Sequence, residues 1–359
     1  MFRVLVTDAT YKHTVALARH AKAALPDLYL IGHTRRTGLV AKWNGCFDAV
    51  VCGMPLEAAL DKQRYDMVIP VGGPSVLTVA ARCPQYSVLA PRSNLETCFD
   101  KCLTIELAQR IALPAPRTWY VDGEASLANL APPFPCVVKP SKEATGLKTV
   151  AYCADAQQLR AAVADQLAKL DGAAGVVVQE FVPGIGYGFF ALMEEGEPLR
   201  IFMHQRIREF PPSGGRSTAA RAFYSPRLKE LGLRVLKALK WRGVAMVEFK
   251  YNPTIDDFVL IEINAKFWGS LELGLSAGVN FGADLIRLFR GERLRYCENY
   301  DRSHEFYWPL DDDLLTLWRT RSLNRIADYW KPNAHTNLGQ SFPVEAFKSL
   351  RLAKLALLG

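Results

Sequence analysis

Along the first hundred residues, short apolar runs alternate with stretches whose apolar positions recur at helical spacing. RVLVTD, LYLIGHT, DAVVCG and DMVIPVGG predict strands, and Thr14 to Leu25 predicts a helix between the first two. That alternation implies a small, mostly parallel α/β domain. The Gly-rich turn VGGPS, Val71 to Ser75, reads either as a tight turn or as a ligand-facing loop. A helix is expected from about Asn94 to Ile111, capped at Ser93 or Asn94 with Glu96 in its first turn. LPAPRTWYV then leads through a linker into a strand. PPFPCVVKPS predicts a strand from Cys136 to Lys139 closed by Pro140, and SKEATGLKTV a loop with a returning strand. An amphipathic helix from Ala154 to Leu170 follows, then a buried strand in GVVVQEFVPG that ends in a Pro-Gly turn. FFALMEEGEPLRIFMHQRI reads as two strands about a Glu-Gly turn, Pro226 to Leu239 as a helix, and VAMVEFKYNPTIDDFVLIEIN as a hairpin. Beyond Arg290 the pattern weakens. That tail holds Asp311, Asp312 and Asp313 and a basic amphipathic end, FKSLRLAKLALLG. It reads as a helical cap, or as a surface for weak membrane or protein contact.

One run breaks the apolar rule. VLIEINAKFWGS, Val259 to Ser270, starts as a buried strand yet carries Glu262 and Asn264, then Lys266. A carboxylate in a core strand is costly unless something neutralises it. Side chains alternate along a strand, so Glu262 and Asn264 share a face. With the hairpin turn centred near Ile255, residue 249 pairs with 261 and Glu248 stands opposite Glu262. Like charges so placed repel, and a cation would turn the repulsion into coordination. Two facing carboxylates and an amide oxygen are the hard donors that suit Mg²⁺. Either glutamate alone reads as solvated or paired with Arg or Lys; the joint pattern points to a metal at Glu248, Glu262 and Asn264. A metal held by so few protein oxygens usually shares a phosphate ligand. HQRIRE places His204, Arg206 and Arg208 on one face by period two, and guanidinium groups suit phosphate. Lys139 ends a buried strand, where a lone ammonium needs an anion. Lys101 serves equally well as a surface or a site residue.

Composition narrows the class. The 359 residues are 50% hydrophobic and 22% charged, as in ordinary globular chains. No apolar run reaches the roughly 18 residues of a membrane span. MFRVLVTDATYKH lacks the apolar core of a signal peptide, so a cytoplasmic location is expected. The eight cysteines are scattered without a CxxC pair, against zinc-ribbon and redox motifs. Cys98 and Cys102, four apart as on one helix face, read as packing. The net charge is +8, and Arg200 to Arg242 alone holds eleven Arg and Lys against Glu209 and Glu230. Such a patch suits a phosphorylated ligand, a membrane surface or nucleic acid, but no nucleic-acid module accompanies it.

The ordered set from FDKCLTIELAQRIALPAPRTW through EINAKFWGSLELGLSAGVNF, roughly Phe99 to Phe281, resembles the ATP-grasp superfamily. HQRIREFPPSGGRS with EINAKFWGSLELG looks like its carboxylate–amine ligase branch, related to carbamoyl-phosphate synthase. The resemblance implies an α/β fold: an N-terminal Rossmann-like pre-ATP-grasp domain (1–95), then a two-subdomain α+β ATP-grasp fold (96–175 and 176–290) and a C-terminal helical extension (291–359). It implies an ATP-dependent ligase that activates a carboxylate as an acyl phosphate and joins it to an amine, with ATP and Mg²⁺ as cofactors, two ions, and Mn²⁺ able to substitute. Lys139 and Lys101 would meet the phosphates. Ser141, Gly146 and the rest of SKEATGLKT would fold over them, with Arg208 a further nucleotide contact. Gln179, Glu180, Phe181 and Val182 would form the hinge that reads adenine. Arg206, Lys266 and Arg221 would be catalytic, and Gly214 to Ser217 would meet the acyl phosphate or simply form a hairpin tip. Two positions depart from the family pattern. GIGYG, Gly184 to Gly188, has no carboxylate where many relatives bind ribose. Ala265 and Lys266 stand where E-I-N-P-R is common, and Lys lacks the bidentate fork. These departures motivate an alternative, a nucleotide-binding regulator with little catalysis; an ATP-grasp kinase is another. The acid, the amine and the oligomeric state stay open.

Overall fold

The computed structural model describes residues 1–35, 42, 45–143, 150–172, 174–211, 214–339 and 342–357. Among the described residues the strands form three sheets. The first holds β1 (Phe2–Val6), β2 (Leu28–Thr34), β3 (Ala49–Cys52) and β4 (Met67–Ile69) in the order β3-β2-β1-β4, all parallel. Its helices include Lys12–Ala24, between β1 and β2, and Gly73–Arg82, which starts inside the VGGPS turn. The expected order of elements is found here.

The second sheet is small and antiparallel, in the order β5-β8-β6-β7: β5 (Thr118–Val121), β8 (Val176–Glu180), β6 (Cys136–Pro140) and β7 (Ala151–Cys153). Val121, Val138, Val176 and Val178 pack on the helix Ala156–Leu170 through Leu159 and Val163. By alternation, Lys139 and Gln179 face the other way.

The third sheet runs β13-β12-β9-β10-β11-β14-β15. Its core is β9 (Ile185–Glu194), β10 (Glu197–Phe210), β11 (Arg216–Ala222), β12 (Gly243–Asn252) and β13 (Asp257–Asn264). One face, with Phe189, Met203, Val247 and Leu260, packs on the helix Pro226–Ala238. The other, with Phe190, Phe202 and Met246, packs on Val4 and Leu30 of the first sheet and on Leu17 of the helix Lys12–Ala24.

Two expectations are corrected. The single helix from Asn94 to Ile111 is two, Arg92–Phe99 and Lys101–Arg110, broken at Asp100. Asp100 is extended, and its carboxylate accepts the Cys102 N–H at 2.9 Å and the Leu103 N–H at 3.4 Å. The apolar period runs through the break, which hid an N-cap. Cys98 and Cys102 therefore lie on different helices. The tail is also not purely helical: β14 (Glu305–Tyr307) pairs with β11, and β15 (Ala334–Thr336) pairs with β14. Among the described residues no helix is long and apolar enough to cross a membrane.

The acidic run clamps the tail to this sheet. Asp313 accepts from Arg208 at 2.7 Å, from Thr218 Oγ1 and from Tyr329 OH. Asp312 pairs with Arg216 and Arg351, and Asp311 with Lys348. Lys348 and Arg351, read in sequence as part of a basic docking face, are turned onto these acids. The basic segment is spent in the same way. Arg200 pairs with Asp284, Arg227 with Asp257, Lys229 with Glu298 and Arg242 with Glu194. Asp313 is fully buried, so Asp313→Ala leaves Arg208 with Asp328 alone and takes the acceptor from Thr218 and Tyr329. We expect it to cost about 3–5 kcal/mol in urea unfolding; a loss below about 1 kcal/mol would mean the clamp is dispensable.

Candidate functional site

Glu248 and Glu262 are paired across β12 and β13, in register with Met246↔Asn264 and Val247↔Ile263. Beyond them the ladder shifts by one: Phe249 pairs with Leu260, not with residue 261 as the uniform register predicted. Ile261 is thus an extra residue, a bulge beside the two carboxylates. Across the sheet Glu248 also opposes Gly188, and Gly188 opposes His204. One row, Glu262–Glu248–Gly188–His204, therefore faces the second sheet.

Arg206 lies on the same face. Its Nη2 reaches Glu248 Oε2 at 2.6 Å and its Nη1 reaches Glu209 Oε1 at 3.2 Å. Asn264 Nδ2 donates to Glu262 Oε1 at 2.8 Å. The two facing carboxyls are driven apart in acidity. Burial, opposed by Arg206 and reinforced by the facing Glu262, pushes Glu248 up to about 7. At Glu262 burial acts in the same sense, but the Asn264 hydrogen bond and the charges of Lys101, Lys139 and Lys266 outweigh it and hold the group below its ordinary value. From the second sheet Lys139 faces this pair. Burial first, then the neighbouring Lys101 charge, bring it down to about 8 against the pull of Glu262 and Glu248. Among the described residues neither lysine has a salt-bridge partner. Two lysines thus face two glutamates without direct contact, leaving space between the sheets.

No protein-family model matches the chain. Solved structures do. N5-carboxyaminoimidazole synthetase from Staphylococcus aureus, complexed with ADP, superposes with a TM-score of 0.68 at 10% identity, over 91% of this chain and 86% of that one. A biotin carboxylase from Campylobacter jejuni, as its β-γ-ATP complex, gives 0.67 at 14% identity, over 84% and 74%. An L-amino acid ligase from Bacillus licheniformis gives 0.63 at 17% identity, over 80% and 73%. The chain has the ATP-grasp fold.

Within the ATP-grasp fold the expected residues fall into three groups. Lys139, Gln179, Glu248, Glu262, Asn264, Arg206 and Lys101 gather around the gap. The Lys101 N–H donates to Ser141 O at 2.9 Å, tying the helix start to the end of β6. Ser141 Oγ is buried without a partner. Gln179 Nε2 donates to Thr118 Oγ1, and Glu180 turns outward to Arg117. At the hinge, Phe181 N–H is taken by Pro135 O and Val182 O accepts from Lys250 Nζ at 3.1 Å. Among the described residues the Val182 N–H and Phe181 C=O have no partner. Lys266 lies at the edge of the gap, with Nζ 2.6 Å from Glu143 Oε2.

A second group makes its side-chain contacts away from Glu248, although Arg208 also lines a cavity beside the hinge. Ile207 is a further bulge, so Arg206 pairs with Ala220 but Arg208 with Ala219. The period-two reading of HQRIRE therefore fails at Arg208, whose side chain turns to Asp313 and Asp328. Arg221, opposite Gln205 and hydrogen-bonded to it at 2.7 Å, lies on the face away from Glu248. Arg216, from the GGRS loop, pairs with Asp312. A third group, Gly146 and most of its loop, lies outside the described residues. Sequence reading passed over Lys250, Glu209 and Glu143. Lys250 was legible, since alternation puts it on the face of Glu248; the other two needed the register.

A cation at this site must displace the proton on Glu248. That carboxyl is mainly protonated below about 7 and ionised above it. Mn²⁺ affinity, read calorimetrically, should rise from one pH unit below that value to one above it and then level off. A pH-independent affinity would contradict a protonated Glu248.

Proposed function

We propose that the protein is an ATP-dependent ligase that activates a carboxylate as an acyl phosphate and joins it to an amine. The observation that carries this reading is the facing pair Glu248 and Glu262, with Asn264, set across a gap from Lys139 and Lys101. The residues fit a magnesium nucleotide. Among the described residues no cluster of three His, Cys, Asp or Glu side chains could hold a metal. Two carboxylates and an amide oxygen leave the other coordination positions to phosphate oxygens and water, as is usual for Mg²⁺. The unpartnered Ser141 Oγ and the lysines without counterions suit an anion between the sheets.

Bound there, magnesium ATP would supply an activated phosphoryl group. The chain's own part is positioning and charge neutralisation. Lys139 from the second sheet and Lys101 from the helix start beside it neutralise phosphate oxygens; Glu248, Glu262 and Asn264 hold the cation from the third sheet. The Val182 N–H and Phe181 C=O present a donor and an acceptor to the edge of a base. Arg206, fixed by two carboxylates with its Nε–H buried and free, is preset for an anionic oxygen. In the overall reaction an oxygen of the acid takes the phosphoryl group and ADP leaves. The amine nitrogen then bonds the acyl carbon, phosphate departs and the amine gives up a proton. No serine or cysteine nucleophile is needed.

One observation favours a second reading, a nucleotide-binding protein with little turnover: Lys266 Nζ is already occupied by Glu143. A hydroxylamine trap separates the two. The protein is incubated with ATP, Mg²⁺, hydroxylamine and each of a panel of carboxylic acids that includes L-α-amino acids. The ligase gives ADP and a hydroxamate with at least one acid, and Glu262→Gln lowers both about a hundredfold to a thousandfold. ADP release no greater than that of the variant, with every acid, would overturn the ligase reading.

A further inference from the structure

A cavity of about 630 Å³ opens beside the hinge. Phe181 and Lys250 form one side, Gly186 and Arg206 the floor, and Leu317 of the C-terminal segment the far wall. Among its described lining residues Glu209 is the one acid. The rest of the lining is cationic, hydroxyl-bearing or apolar, so this carboxylate is its one anionic acceptor among the described residues.

Its placement follows from a missing side chain. A Cβ at Gly186 would come within 2.9 Å of Glu209 Oε1 and 2.8 Å of Arg206 Cδ. The hinge strand thus carries no side chain here, and β10 sends Glu209 into the vacated space. Oε1 accepts from Arg206 Nη1 and Oε2 from the Gly215 N–H, each at 3.2 Å. The carboxylate is fixed, and each oxygen keeps a lone pair for a ligand. Along β9 the order is hinge, then Gly186 opposite Lys250, then Gly188 opposite Glu248. Two residues of strand span roughly 7 Å. A nucleotide with its base at the hinge and its phosphates at Glu248 has its sugar at Gly186.

We infer that Glu209 binds the vicinal hydroxyls of the nucleotide's ribose, presented from β10 through the gap at Gly186. This inference rests on the ATP-dependent reading above. A carboxylate accepts two O–H donors from a cis-diol, a pairing that a deoxy sugar cannot make.

Binding of ADP and of 2′,3′-dideoxyADP, each with Mg²⁺, tests it by calorimetry on the full chain. The native protein should prefer ADP about tenfold or more, as expected for hydrogen bonds to a charged group. Glu209→Gln should weaken ADP about tenfold and leave dideoxyADP within about twofold, which also shows the variant folded. Gly186→Ala, which displaces the carboxylate without removing it, should give the same selective loss. Equal weakening of both nucleotides would overturn the inference, because Glu209 would then only be holding Arg206. No change in either would overturn it as well. If the native protein bound neither nucleotide, the ATP-dependent reading itself would fall, an outcome distinct from the other two.

Discussion

Two carboxylates stand opposite each other on the hairpin β12–β13 at one edge of the large sheet, and much of the surrounding geometry can be read as a response to that constraint. Unbalanced, such a pair is costly. The fold balances it in three ways: one acid is pushed toward its neutral form, Arg206 reaches in from β10, and Lys139 approaches from the facing sheet and Lys101 from the helix start tied to it. None of these removes the repulsion. On the reading proposed above, the remaining charge is what a divalent cation and phosphate would take up.

Bulges decide which side chains reach that gap. At Ile261 the extra residue keeps Glu248 facing Glu262 while the rest of the hairpin shifts by one. At Ile207 the extra residue separates Arg206, which stays in the site, from Arg208, which is sent to the C-terminal acids. Two arginines two residues apart thus serve different purposes. The first pairs with Glu248 and Glu209; the second secures the tail that walls the cavity.

Three parts of the chain meet at Lys266. Glu143 comes from the second sheet's loop, Lys266 from the end of β13, and Gly73 from the start of a first-domain helix, where an added Cβ would lie 3.3 Å from Glu143 Oε2 and 3.6 Å from Lys266 Nζ. A Lys at this position keeps a charge without a fork, so a single carboxylate can occupy it.

The sequence by itself determined most of the order of strands and helices, the hairpin, and the conspicuous charges Glu248, Glu262 and Lys139, with Asn264, in otherwise apolar strands. Each is legible because strand alternation is a local rule and a charge in an apolar run is conspicuous. It also led to the ATP-grasp resemblance, which the structural likeness matches. The tertiary structure decided the faces of Arg208 and Arg221, the break at Asp100, the strands of the tail and the place of Glu209. It also showed that the basic run from Arg200 to Arg242 is mostly paired within the molecule, largely with acids distant in sequence. The reason is common to all of these. A one-residue bulge inverts every later side chain, and a salt bridge joins residues a hundred positions apart; neither leaves a periodic trace in the chain.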